Sequence, residues 1–185
     1  TATAIVGYLT GRHVPPAPPE ADADTPPDWH IIRASGRLIS ATLHIRKLYL
    51  AIVSISFFWT IGAVLFIQFP PLVKNVLTSD ASVASLFLAI FSVGIAIGSV
   101  AINRLLKGEV SARYSPASVI VMGLFVVAFY FVCRGWIDDN PGELYNIGEF
   151  LAHQNSWAIT LTLLGVAISG GMFVVPLYAF LTTTV

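Results

Sequence analysis

At 185 residues, with 56% hydrophobic and only 11% charged side chains, the chain falls far short of the charge that keeps an ordinary soluble domain in water. Ten basic and ten acidic groups cancel, so no net charge draws it to nucleic acid. One cysteine, Cys133, closes no intrachain disulfide and builds no cysteine-rich metal site.

Residues 1–10 read as the last turns of a preceding transmembrane helix. The chain opens on Thr1 and stops at Val185 inside an apolar run, so the reading expects a piece of a larger functional unit. Residues 11–47 read as a linker. Pro15-Pro16-Ala17-Pro18-Pro19 and the acidic run after it suit an extended, solvated segment. From Trp29 onward, Ile31, Ile32, Leu38, Ile39, Leu43 and Ile45 alternate with Arg33, Arg37 and Arg46, a pattern for a helix lying at the membrane interface.

Four stretches then carry no Asp, Glu, Lys or Arg: 48–73, 81–103, 114–133 and 150–185. A helix needs about 20 apolar residues to cross roughly 30 Å of hydrocarbon. The expected spans are 48–69, ended by Pro70-Pro71; 82–104; 115–134, opened by Ser115-Pro116; and 156–180. Between the third and fourth, Asp138-Asp139-Asn140-Pro141-Gly142 is a strong turn signal, and 144–154 reads as a weakly amphipathic surface segment. The fold class is an all-α membrane protein.

Basic residues orient it. Arg12, Arg33, Arg37, Arg46, Lys47, Arg104, Lys107 and Arg113 fall on one side, and only Lys74 and Arg134 on the other. The first side is therefore cytoplasmic. Trp136, Tyr145 and Trp157 sit where interfacial aromatics are expected, and His44 and His153 read as solvated residues at span edges.

Polar and small residues inside the spans are the candidate functional positions. Ser56, Trp59 and Thr60 share a face of span one at helical spacing, with Gln68 placed deeper toward the outer end. The hydroxyls either bond back to their own helix or line a wet pathway walled by Trp59. Gly94 and Gly98 lie one turn apart in span two, where small residues let backbones approach, as fixed packing or as a sliding contact. Gly170, Gly171 and Pro176 weaken the hydrogen-bond ladder of span four, giving a fixed kink or a gating hinge. No span holds an ionic group, which argues against a proton-coupling carboxylate here and favours a substrate with a large apolar portion. No catalytic constellation, cofactor fingerprint or metal-ligand spacing is present in the sequence.

The order of a charged linker, a span, a span ending in a basic loop and two further spans resembles the C-terminal helical bundle of the major facilitator superfamily. Ser99, Asn103, Arg104 and Lys107 match that superfamily's cytoplasmic loop motif, with Ser99 in place of Gly and Asn103 in place of the latching Asp. Four short motifs make the chain similar to the lysophospholipid transporters: Ser56-Phe57-Phe58-Trp59-Thr60-Ile61-Gly62, Gln68-Phe69-Pro70, Phe91-Ser92-Val93-Gly94-Ile95-Ala96-Ile97-Gly98-Ser99, and Gly170-Gly171-Met172-Phe173-Val174-Val175-Pro176-Leu177. The proline-rich linker resembles members fused to a lysophospholipid acyltransferase and an acyl-carrier-protein synthetase.

The resemblance implies a twelve-helix transporter of the bacterial inner membrane. It would move lysophospholipids to the cytoplasmic leaflet by alternating access, with a first half outside this sequence and a fused or partner acyltransferase. Ser56, Trp59, Thr60 and Gln68 would form the pathway. The alternatives are the membrane portion of a bifunctional acyltransferase and synthetase, with no catalysis in these helices, or a drug-type exporter of the same superfamily.

Overall fold

The computed structural model describes residues 44–183 except 108, 110, 140 and 141, together with residues 32, 35, 36, 39 and 40. The helix end expected at 1–10 and most of the segment 11–47 lie outside the described residues. The bundle occupies the unit Thr42–Val185. It consists of α1 (Arg46–Asn75), α2 (Ala81–Leu105), α3 (Ser115–Arg134), a short α4 (Ile147–Ala152) and α5 (Ser156–Thr183). No strand occurs among the described residues. The four long helices have 30, 25, 20 and 28 residues, so at about 1.5 Å per residue each can cross the hydrocarbon. The chain is an all-α integral membrane protein.

Helix α5 is the axis of the bundle. It packs mainly on α2 and α3 and more lightly on α1, and 56% of its apolar window is buried against 11–28% for the others. The α2–α5 crossing is made by residues without side chains. A Cβ on Gly98 would lie inside the carbonyl of Ile168, and one on Gly94 inside the Cβ of Ala167. From the other side, a Cβ on Gly171 would stand 2.6 Å from the carbonyl oxygen of Ile95. Glycines on both helices therefore bring backbone onto backbone, the close approach that dispersion rewards inside a membrane.

The expectation that Pro70-Pro71 ends span one is not met: α1 continues to Asn75 with both prolines inside it. They remove the donors to the carbonyls of Phe66 and Ile67. The helix persists because Phe69, Val73 and Leu77, at i, i+4 and i+8, are at most 2% exposed and carry the chain through the break into the core. Pro176 is likewise absorbed within α5. The Ser115 hydroxyl, from the first turn of α3, lies 3.5 Å from the Phe173 carbonyl, one residue beyond the carbonyl that Pro176 frees.

At the end opposite Lys47, Arg104 and Arg113 the bundle is closed by an aromatic plug. The α1–α2 and α3–α4 connections pair: the Asp80 amide donates to Tyr145 O at 3.0 Å and the Tyr145 amide to Thr78 O at 2.9 Å. Trp136 stacks on His153 (3.9 Å between ring centres) and on Phe150 (5.6 Å), and Phe150 meets Phe87 edge-on. The segment expected at the surface thus drives Phe150, fully buried, into the core. His153 is also not the solvated residue expected; its side chain is 7% exposed. Its Nδ1 lies 3.3 Å from the Asn155 amide nitrogen, and its Nε2 faces Ile137 O (3.1 Å) and an Asp139 carboxylate oxygen (3.2 Å). Periodicity missed this knot because its partners come from three connecting segments.

Gly98→Ala should destabilise the bundle by about 1–3 kcal/mol, the usual range for overpacking. Gly123→Ala, where an added Cβ meets nothing within 4 Å, should be neutral or stabilising by about 0.5–1 kcal/mol; reversible unfolding in mixed micelles compares the two. Asp80 caps α2 by accepting from the Ser82 hydroxyl and from the amides of Ser82 (2.8 Å) and Val83 (3.4 Å). The Ser82 hydroxyl, opposed by some desolvation and helped by the two amides, holds the Asp80 carboxyl below its ordinary range. A depressed carboxylate contributes stability above its unfolded value and loses it as pH falls through the folded one, so melting temperature should start to drop below roughly pH 4. Asp80→Asn, which still caps, should flatten that part of the profile.

Candidate functional site

The sequence-selected residues of α1 do not point into the bundle. Ser56, Trp59, Thr60 and Gln68 are all exposed and lie off the buried stripe of Ala51, Ile55, Phe58 and Gly62. Ser56, Trp59 and Thr60 form one surface. Gln68 does not belong to it: nine residues at about 100° each place it roughly 180° around the helix from Trp59 and about 13 Å along the axis. The expected four-residue pathway is therefore three residues plus a separate amide.

A fourth member comes from α5. The Trp59 indole N–H donates to the Tyr178 hydroxyl at 2.7 Å, joining residues 119 apart in sequence. Trp59 also meets Phe58 edge-on at 5.8 Å, and Phe58 in turn contacts Phe173. Tyr178 lies two residues beyond Pro176, so the bond ties the segment of α5 past the proline to the middle of α1. Because the Tyr178 oxygen accepts in this bond, its own proton is left to donate elsewhere. Tyr178 was not selected from sequence. A tyrosine in an apolar run carries no periodic signal, and only the α1–α5 contact reveals its partner.

Most other hydroxyls in the spans bond back along their own helices. Thr60 donates to Ser56 O (2.8 Å), Ser99 to Ile95 O (2.8 Å), Ser92 to Leu88 O (2.9 Å) and Ser169 to Gly165 O (2.5 Å). Thr60 thus spends its proton locally but keeps its oxygen on the exposed face. Thr160 differs: its Oγ1 is buried without a hydrogen-bond partner among the described residues.

Gly94, Gly98 and Gly171 are consumed by the α2–α5 crossing, and Gly170 lies against Phe58, whose ring a Cβ would approach to 3.2 Å. In this arrangement the glycine pair near Pro176 seats α1 and α2 on α5. Ser99, Asn103 and Arg104 lie in the last two turns of α2, and Lys107 stands just past its end. Asn103, Arg104 and Lys107 are exposed together with Val100 around a shallow open depression. Arg104 stands in the last turn of α2, where a cation meets the negative end of the helix dipole. Lys107 takes a left-handed backbone conformation, φ 52°, which turns the chain away from the helix.

The described residues contain no group of three or more His, Cys, Asp or Glu side chains able to hold a metal ion. The arrangement can therefore offer a hydroxyl, an indole and apolar surface to a ligand, a set suited to binding an amphiphile. No protein-family model, curated protein or solved structure matches the chain.

Proposed function

We propose that this chain is part of a membrane transporter that moves lysophospholipids toward the cytoplasmic leaflet by alternating access, in the manner of the C-terminal bundle of the major facilitator superfamily. The observation that carries the reading is the uncovered face of α1, where Ser56, Trp59 and Thr60 meet Tyr178 across a 2.7 Å hydrogen bond. Hydroxyls and an indole on an otherwise apolar surface are costly against acyl chains and useful beside a polar headgroup. The absence of any ionic side chain from the apolar stretches suits a substrate whose larger part is hydrocarbon.

In this proposal the facing surface is supplied by a second bundle. Rocking of the two bundles opens the Trp59–Tyr178 face to each leaflet in turn. The headgroup is held by the hydroxyls of Tyr178 and Ser56 and the oxygen of Thr60, while the Trp59 ring lies along the acyl chain. Pro176 lets the end of α5, and Tyr178 with it, shift relative to α2. Any acyl transfer belongs to a fused or partner enzyme of the same inner membrane, to which these helices deliver the lipid.

The test is flipping of labelled lysophosphatidylethanolamine by the full-length protein in vesicles. Trp59→Ala and Tyr178→Phe should each slow flipping about tenfold, the effect of losing roughly 1–1.5 kcal/mol of hydrogen bonding in the pathway. Gln68→Ala, on the opposite side of α1, should leave the rate unchanged. Unaltered flipping in Trp59→Ala would remove this face from the pathway. Competition by cationic dyes stronger than by lysolipid would assign the face to a drug-type exporter instead.

A further inference from the structure

The cytoplasmic end of the bundle, as assigned from the basic residues, holds a second feature, independent of what the bundle carries. An open groove of about 520 Å³ runs between the start of α1, the start of α3 and the end of α5. That volume lies within the roughly 300–1,000 Å³ of small-molecule sites. Its walls are apolar: Leu50 and Ala51 on α1, Val119 on α3, and Phe173 and Leu177 on α5. Its mouth is not, because Lys47 lines it one turn before Leu50 and Ala51.

Basic residues outnumber acidic ones at this end of the bundle. Arg46 adjoins Lys47, and Arg113 follows Ala112 of the groove wall, with its guanidinium carbon 5.9 Å from the centre of the Tyr114 ring. Among the described residues Glu109 is the only carboxylate at this end of the bundle. The groove also lies apart from the Trp59–Tyr178 face: Ser54 on its wall and Trp59 are about 140° apart around α1. Two surfaces therefore flank the α1–α5 contact, one offering hydroxyls and the other an apolar slot under a cluster of cations.

We infer that this groove holds one anionic diacyl phospholipid of the cytoplasmic leaflet, with an acyl chain between α1 and α3 and its phosphate at Lys47. Charge complementarity selects the occupant. Lysine and arginine at the interface attract anionic headgroups, and the lysine stem can lie along the apolar wall while its ammonium stays at headgroup level. A chain seated there fills the space between α1 and α3 and so steadies the start of α1 against the end of α5, where Pro176 interrupts the ladder.

Native mass spectrometry of the full-length protein, delipidated and then titrated with phosphatidylglycerol or phosphatidylcholine of matched chains, tests this. The expected result is one phosphatidylglycerol retained about fivefold more strongly than phosphatidylcholine. Lys47→Glu should bring that ratio to about one, and exposed Lys47 is not needed for folding. Val119→Phe, which narrows the groove from its exposed wall, should weaken both lipids with the headgroup preference kept; circular dichroism melting verifies that both variants remain folded. Equal retention of the two lipids, an unchanged ratio in Lys47→Glu, or unaltered binding in Val119→Phe would overturn the assignment. So would an absence of retained lipid in the unmodified protein, which would mean that protein covers the groove.

Discussion

The crossing of α2 and α5 is the contact on which the other features rest. With Gly94, Gly98 and Gly171 at the interface, the two backbones meet with almost nothing between them. Hydrophobic burial does little between helices already surrounded by hydrocarbon, so the stability of the pair comes from dispersion at short range, which falls away steeply with separation. Once α2 and α5 are locked, α3 packs along α5 on one side and α1 leans on it more lightly. The lighter contact is flanked by the Trp59–Tyr178 pair on one side and the groove beside Lys47 on the other. That division gives the bundle a rigid pair and a more loosely held helix.

The loosely held helix is also the one interrupted by tandem proline, and its partner α5 is interrupted by Pro176. In both cases the helix is kept whole by buried side chains on either side of the break: Phe69, Val73 and Leu77 for α1, and Val174 and Leu177 for α5. A proline removes one donor and costs about 3 kcal/mol or more in a helix interior. Buried neighbours on both flanks offset that locally. The result is a segment held in helical form by packing instead of by its own ladder, which is the condition for a bend that can move when packing changes. The Trp59–Tyr178 bond crosses between the two interrupted helices, so any change in one is felt by the other.

The long apolar stretches made four helices readable, because charge exclusion over about 20 residues has no other common cause in a folded chain. The face shared by Ser56, Trp59 and Thr60 was readable from the 100° step, and the same step, applied across nine residues, separates Gln68 from it. Pro70-Pro71 misled because a local rule was applied without knowing that Val73 and Leu77 would be buried beyond it. Phe150 and His153 were misplaced for a related reason. Their burial depends on Trp136, Thr78 and Tyr145, which are distant in sequence and carry no period. Tyr178 and the groove were invisible because each exists only where two or three helices converge.

The two ends of the bundle differ in how they are closed, and that difference bears on motion. One end has stacked rings, paired loop backbones, a buried imidazole with both nitrogens engaged and a capped α2. The other has α1 beginning at Ile45 without a side-chain cap, an open groove, and exposed cations. Fixed contacts at one end and space at the other make the plug the natural pivot. Displacement of α1 relative to α3 would then grow with distance from Trp136 and be largest beside Lys47.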